Sequence, residues 1–252
     1  PVWGGVLELG ALERADRDQR LTIHLSAIEN DLLVASLTVE NYVKMIYQIS
    51  SDRGGKPAAT GEIASALSVS PGSVTSMLKT LSEGKLVTYT PYEGVQLTAA
   101  GNALALRILR RHRLIELFLS HTLDLNWDEV HEEAEHMEHA VSDRLVDRID
   151  VYLGNPEVDP HGDPIPKADG SIGTSTGTTL ATCADGFKFR LARVLDQSSQ
   201  FLRYLSDSGL PLGAKGVVVS NQPEAGVITI EVAAKQTTLG HEAAAKLLVE
   251  SN

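Results

Sequence analysis

Two predicted helices joined by a very short turn and followed by a hairpin constrain the fold of this chain more than any other feature. Apolar residues recur at helical spacing from Leu37 to Ile49, and a short helix is predicted from Thr60. Another begins at Ser70-Pro71, where Ser suits the N-cap and Pro the first helical position. Two short strands flank the turn at residues 91–94. The pattern predicts a winged helix-turn-helix, an architecture that reads DNA.

The first turns of the helix after Ser70 carry small hydrogen-bonding groups and one cation. Free N–H groups at a helix N-terminus bind phosphate well, and small hydroxyl side chains allow close approach to a groove. These residue types are equally typical of an exposed helix face and do not by themselves indicate DNA binding. The predicted wing and the local positive charge favour the DNA-binding interpretation. Residues 36–113 contain nine Lys and Arg against five Asp and Glu, although the whole chain has a net charge of -11. The predicted DNA-contacting residues are Ser70, Ser73, Thr75, Ser76 and Lys79.

His and Glu side chains share one face of a second predicted helical region, at about residues 127–153. At ~100° per residue, four of them fall within an arc of roughly 100°. They are His131, Glu135, Glu138 and His139. His112 and Glu116 form another i, i+4 pair on the preceding predicted helix, at about residues 99–119. Imidazole and carboxylate groups together suit a borderline divalent ion, and two helices offer enough ligands for two ions. A solvated charged face is the alternative interpretation.

Composition divides the chain into five segments. Residues 1–35 show weak periodicity and have no assigned function, 36–105 form the winged domain, and 106–155 form a helical domain. Residues 156–180 are rich in Pro, Gly, Ser and Thr and are predicted to be a linker. Residues 181–252 are predicted to be a small β-rich domain, with strands near 188–194, 216–219 and 227–232 and a helix at 201–207. The predicted fold class is α+β and mainly helical.

Two absences in the sequence favour a cytoplasmic protein. No run approaches the ~20 apolar residues that cross a bilayer, and no signal-peptide pattern is found at the start. The single cysteine, Cys183, has no partner for an internal disulfide or a cysteine metal cluster. It is predicted to be a small buried apolar residue.

Several ordered motifs resemble those of the diphtheria toxin repressor (DtxR) family of iron and manganese regulators, which includes MntR. They are TVENYVKMIYQI, EIASALSVSPGSVTSMLKTLSEGKLV, YEGVQLTAAG, RRHRLIEL, VHEEAEHMEHAVSDRL and PHGDPIP. The resemblance covers about residues 36–166, and the last 70 residues resemble, more weakly, the SH3-like (FeoA-like) domain of many members. It implies a metal-dependent repressor that binds double-stranded promoter DNA as a homodimer. It does not imply an enzyme or a protein that associates with a membrane. Its targets would be genes of metal uptake and homeostasis.

The resemblance also implies two metal sites in the helical dimerisation domain. The primary site corresponds to Asn41, Glu135, Glu138 and His139, and the ancillary site to His112, Glu116 and His131. Asp196 and Gln200 are candidates for further ligands from the SH3-like domain. In this scheme, a bound ion ties the first helix to the later one and fixes the spacing of two winged domains in a dimer.

Two positions depart from the family pattern. Iron sensors place Cys where Glu135 stands, whereas manganese sensors place Glu there, so Mn(II) is expected and Fe(II) is the alternative. Asn41 occupies a position that is commonly Met or Asp, and Lys44 stands where MntR has a second Glu. The paired MntR site is therefore not expected, and the ancillary arrangement of the iron sensors fits better.

Two other functions compete with a metal-dependent repressor. One is a metal-independent winged-helix regulator whose ligand stripe is structural. The other is a dinuclear metal hydrolase or oxidase using Glu116, Glu135 and Glu138. For the enzyme, the sequence offers no obvious nucleophile or substrate pocket.

Overall fold

The computed structural model describes residues 37–91, 93–174 and 177–252. The predicted N-terminal extension, residues 1–35, lies outside these described residues. The chain divides after Ala105 into two compact units. Among the described helices, none combines the length and the apolar character needed to cross a membrane.

The first unit is a winged helix-turn-helix. Helix α1 covers residues 37–52, α2 Thr60–Ala66 and α3 Pro71–Glu83. Strands β1 (Val87–Thr90) and β2 (Gly94–Leu97) pair antiparallel as the wing. Ser68 turns the chain between α2 and α3 with a φ of 53°, and the Ser70 Oγ caps α3 by accepting from the backbone N–H of Ser73. The order of elements predicted from the sequence is confirmed.

Helix α4 (Ala99–Leu123) begins in the first unit and continues into the second. Its start is tied to the wing, because the Thr98 hydroxyl donates to the carbonyl of Lys85 at 2.7 Å and accepts from the N–H of Gly101 at 3.1 Å. Gly101 is buried against Leu86, the residue that precedes β1. A Cβ there would lie 2.0 Å from the carbonyl oxygen of Leu86.

We therefore expect Gly101→Ala to lower the stability of the winged unit by about 1–3 kcal/mol, because overpacking forces the backbone to move. Gly61→Ala is the matched control, since a Cβ at this exposed position of α2 meets nothing within 4 Å. Its stability should stay the same or rise by up to about 1 kcal/mol. Urea unfolding followed by circular dichroism measures both variants. Equal midpoints would contradict the predicted clash.

The second unit opens with three helices rather than the two predicted. Besides α4 it contains α5 (Val130–Met137) and α6 (Asp143–Tyr152). The prediction of one continuous helix over residues 127–153 was therefore wrong. Ser142 provides the physical reason, because its hydroxyl accepts from the N–H of Leu145 and starts a new helix. Leu114 of α4 packs with Val146 and Ile149 of α6.

A six-stranded antiparallel sheet completes the second unit, in the order β3-β8-β4-β5-β6-β7. Its strands are β3 (Thr178–Thr179), β4 (Lys188–Val194), β5 (Lys215–Gln222), β6 (Val227–Val232), β7 (Lys235–Gly240) and β8 (Leu247–Ser251). Helices α7 (Ser199–Asp207) and α8 (His241–Ala244) accompany it. Phe189, Leu202 and Ile230 are among its buried core residues, as is Cys183. The α+β fold class is confirmed.

The first half of the Pro- and Gly-rich segment is packed. Asp159, His161, Asp163 and Ile165 are all buried. Two arginines of α4 hold this segment, since Arg110 donates to the carbonyl of Pro166 at 3.1 Å and Arg113 to that of Pro164 at 2.5 Å. The segment thus lies on α4, the helix that carries the predicted ligands His112 and Glu116.

Candidate metal centre

His112 of α4 lies at the centre of a buried cluster of carboxylates and imidazoles. Its Nδ1 is 2.6 Å from Oε2 of Glu138 and 3.7 Å from Oε1 of Glu135. Its Nε2 is 2.9 Å from Oε1 of Glu116 and 3.2 Å from Nδ1 of His131. Glu116 and Glu138 are fully buried, whereas Glu135 and His131 are partly exposed. Helices α4 and α5 thus bring together most of the residues that the sequence singles out.

Among the described residues, three sets have ligand atoms within 4.8 Å of one another. The sets are His112–Glu116–His131, His112–Glu135–Glu138 and Glu116–Asp159–His161. The first is the ancillary set expected from the resemblance. The second joins His112 to two residues of the expected primary set. The last two sets share no residue, so a cation in one set would take no ligand from the other.

Asp159 and His161 were not singled out from the sequence, although His161 lies in the motif PHGDPIP. The ring of His161 is fully buried and stacks on Trp127, with centroids 6.1 Å apart. Its Nε2 lies 2.8 Å from the carbonyl oxygen of Trp127. Because a carbonyl only accepts, Nε2 carries the proton, and in the neutral ring Nδ1 presents its lone pair. Nδ1 is 3.8 Å from Oε2 of Glu116 and 3.9 Å from Oδ1 of Asp159.

The unsatisfied atoms of this set fit a divalent cation. Nδ1 of His161, Oε2 of Glu116 and Oδ2 of Asp159 are buried and lack a hydrogen-bond partner among the described residues, although Oδ2 of Asp159 lies 3.6 Å from Nε of Arg113. Buried polar atoms are normally hydrogen-bonded, so Nδ1 of His161 and Oε2 of Glu116, which lie 3.8 Å apart, point to a missing partner between them. All three are electron-pair donors, and mixed imidazole and carboxylate ligands are typical of first-row divalent ions.

The pKa values of Glu116 and Asp159 are shifted in opposite directions. Burial raises the pKa of Glu116, but the His112 charge and the hydrogen bonds from His112 and His131 outweigh it, so this pKa lies well below its usual range. Burial, together with the nearby carboxylates of Asp163 and Glu116, holds the pKa of Asp159 well above its usual range. A negative charge on Asp159 is therefore costly beside the ionised Glu116 unless a cation compensates it.

The remaining predicted ligands are His139, Asn41, Asp196 and Gln200, and none of them belongs to the three sets. His139 follows the end of α5, and its Nε2 is 3.2 Å from Oε1 of Glu138. Asn41 lies on α1 in the first unit, where its Oδ1 is buried and has no hydrogen-bond partner among the described residues. In the β-rich domain, Asp196 pairs with Lys246 at 2.7 Å and Gln200 is exposed. Neither of these two belongs to a ligand set found in the described part of the chain.

Family comparisons cover nearly all of the described chain. Residues 35–95 match the family described as "Iron dependent repressor, N-terminal DNA binding domain". Residues 98–167 match "Iron dependent repressor, metal binding and dimerisation domain", and residues 178–251 match the FeoA domain.

Individual relatives agree with these matches. A solved structure titled "Manganese-dependent transcriptional repressor complex with manganese" is 38% identical, with a TM-score of 0.76, over 85% of this chain and 100% of its own. The regulator MntR of Lysinibacillus sphaericus is 33% identical over 48% of this chain and 88% of its own length. The iron-dependent repressor IdeR of Mycobacterium leprae is 28% identical over 84% of this chain and 96% of its own. The chain belongs to the DtxR/MntR family of metal-dependent transcriptional repressors.

Membership in this family argues against one of the competing interpretations, the dinuclear metal enzyme. The relatives that share the helical domain are transcriptional repressors, so the DtxR/MntR-type chain is not an enzyme. The buried carboxylates around His112 therefore belong to a regulator.

The candidate DNA face of this DtxR/MntR-type chain lies on α3. Ser73, Ser76 and Lys79 are exposed and span about 120° of the helix, opposite its buried stripe. Ser70 and Thr75 have local roles, since Ser70 caps the helix and the Thr75 hydroxyl donates to the carbonyl of Pro71 at 3.0 Å. Three of the five predicted residues thus form one outward surface.

The positive charge used to favour DNA does not belong to the winged domain. Residues 36–98 contain five Lys and Arg and five Asp and Glu, a net charge of zero. Arg110, Arg111 and Arg113 of α4 are buried and pair with aspartates of the second unit. The charge argument was therefore wrong, and the shape of the winged domain and the exposed face of α3 support DNA binding instead.

Proposed function

We propose that this chain is a Mn(II)-dependent repressor that binds double-stranded promoter DNA as a homodimer and controls genes of metal uptake and homeostasis. The observation that carries the proposal is the buried cluster around His112 and Glu116, in which Nδ1 of His161 and Oε2 of Glu116 have no hydrogen-bond partner among the described residues. A related repressor, similar over its whole length, is titled as a complex with manganese. Fe(II) is the alternative metal.

We propose two cation positions in each protomer. Glu135, Glu138 and His112 form the first, with His139 as a further proposed ligand, and Glu116, Asp159 and His161 form the second. His131 and His112 compete for Glu116 within the expected ancillary set. A bound cation supplies the positive charge that allows these carboxylates to lie close together. His112 then binds the first cation through Nδ1, and its Nε2 donates to Glu116.

DNA binding depends on these residues through the population of the DNA-competent dimer. A ligand shifts an equilibrium only by its difference in affinity for the two states. Moving the population from 1:99 to 99:1 takes about 5.5 kcal/mol, which one or two well-coordinated ions can supply. Metal removal should therefore leave the fold intact and lower the affinity for the promoter.

Glu135 offers a test of the metal preference. We expect Glu135→Cys to shift the preference from Mn(II) toward Fe(II) by about tenfold, because a thiolate is a softer ligand than a carboxylate. Anaerobic isothermal titration of each metal into the variant and the native chain measures this shift. Glu132→Cys, at an exposed position of the same helix, is the control. An unchanged preference in Glu135→Cys would remove Glu135 from the proposed site.

A further inference from the structure

Asp163 connects the proposed cation ligands to the β-rich domain. Its Oδ2 accepts from the Gln197 side chain at 2.6 Å and lies 3.5 Å from Nη2 of Arg113. Its Oδ1 forms an ion pair with Arg193 of β4. Asp163 is only 7% exposed. One buried carboxylate thus joins α4, the segment at residues 159–163 and the β-rich domain.

Residues 159–163 form a tight turn that contains two proposed ligands, Asp159 and His161. Oδ1 of Asp159 accepts from the N–H groups of His161 and Asp163, at 2.8 and 2.9 Å. The N–H of Asp159 donates back to the carbonyl of Asp163 at 3.0 Å. Asp159 and His161 therefore cannot move independently of Asp163.

This turn lies directly on strand β4. The carbonyl of His161 accepts from the N–H of Val194 at 2.9 Å. A Cβ on Gly162, whose φ is +87°, would lie 2.1 Å from the carbonyl oxygen of Ala192. On the other side of the His161 ring, the Trp127 indole donates to the Ser206 hydroxyl of α7 at 2.9 Å. The β-rich domain thus holds the turn at its backbone and next to its histidine.

We propose that Asp163 is a positioning residue that couples docking of the β-rich domain to cation binding at Glu116. The inference rests on the proposed metal-dependent function. Asp163 compensates the charges of Arg113 and Arg193, and in doing so it keeps Asp159 and His161 against Glu116. Because coupling between two binding events is reciprocal, a cation at Glu116 must tighten the docking by the same factor by which docking tightens the cation.

Two variants on either side of the ion pair test the coupling. Asp163→Asn keeps the size and an acceptor for Gln197 but removes the charge. Arg193→Gln removes the partner from β4 and leaves Asp163 in place. The matched control is Arg190→Gln on the same strand, where Arg190 pairs with Glu250.

In Mn(II) titrations of the full chain, we expect both variants to lower the affinity for one of the two ions by about tenfold or more. The affinity for the other ion should stay unchanged. Arg190→Gln should bind as the native chain does. The double variant should lose less than the sum of the two single losses, because both act on one interaction. If Asp163→Asn does not fold, Arg193→Gln decides alone.

Amide hydrogen exchange separates positioning from a general loss of stability. In the native chain, Mn(II) should slow exchange at His161, Asp163 and Val194, and this protection should be lost in both variants. Native-like Mn(II) affinity and protection in Asp163→Asn and Arg193→Gln would overturn the coupling and leave the proposed function standing. Failure of the native chain to bind Mn(II) would overturn both.

Discussion

Glu138→Gln is expected to abolish metal-dependent DNA binding and to lower Mn(II) affinity by at least about 100-fold. Glu138 is fully buried, with one carboxylate oxygen 2.6 Å from Nδ1 of His112 and the other 3.2 Å from Nε2 of His139. Gln preserves the volume, so no cavity is formed, but it cannot supply the charge. Losing one partner of a buried charged contact in binding costs about 2–5 kcal/mol, a range that includes a 100-fold change in affinity.

Glu133→Gln is the matched control for this prediction. Glu133 lies on the same helix but is exposed, so its loss of charge should leave Mn(II) affinity nearly unchanged. Isothermal titration gives the affinities, and circular dichroism checks that both variants are folded. A folded Glu138→Gln variant with native Mn(II) affinity would show that the buried cluster is structural, as in a metal-independent regulator.

Ser76→Glu is expected to weaken promoter binding by about 10- to 100-fold and to leave Mn(II) binding unchanged. Ser76 is exposed at the centre of the proposed DNA face, between Ser73 and Lys79. A carboxylate there faces the phosphates and opposes the electrostatic part of binding, which dominates protein–DNA affinity. Fluorescence anisotropy on a promoter fragment in saturating Mn(II) measures the loss.

The control is the same substitution at Ser82, an exposed residue of α3 about 120° around the helix from the centre of the DNA face. Ser82→Glu should bind DNA within a few-fold of the native affinity. Equal losses for Ser76→Glu and Ser82→Glu would mean that net charge rather than this face controls binding. No loss for Ser76→Glu would remove α3 from the interface.

Local signals made the winged domain predictable. Ser70-Pro71 marks the start of α3, and the hairpin follows from two short apolar runs around a turn. The long helix over residues 127–153 was wrong because periodicity continues across a break. Helix α5 ends at Met137, and Ser142 caps the start of α6, but the apolar spacing is similar on both sides of this break.

The candidate site was predictable only where its residues share a helix face. Glu116 with His112, and Glu135 with Glu138, stand at helical spacing, so sequence pattern finds them. Asp159 and His161 lie in an irregular turn, 47 and 49 residues after His112. No periodic signal connects such a turn to α4, and only tertiary packing brings His161 to Glu116.

The local net charge was a wrong indicator of DNA binding for a related reason. Arg110, Arg111 and Arg113 are close in sequence to the winged domain, but their partners Asp143, Asp150 and Asp163 come 30 to 50 residues later. A local count of charges cannot include partners that only the fold supplies. The arginines therefore stabilise the packing of α4 instead of binding phosphate.

Promoter affinity of the full chain, with and without Mn(II), tests the central claim most directly. If about 1% of the metal-free protein is in the DNA-competent state, saturating Mn(II) should raise the affinity for a palindromic promoter fragment by about 100-fold over that in chelator. Anisotropy titrations at one fixed salt concentration measure both states, because salt alone changes the affinity strongly. Equal affinities with Mn(II) and with chelator would contradict metal-dependent repression by this protein.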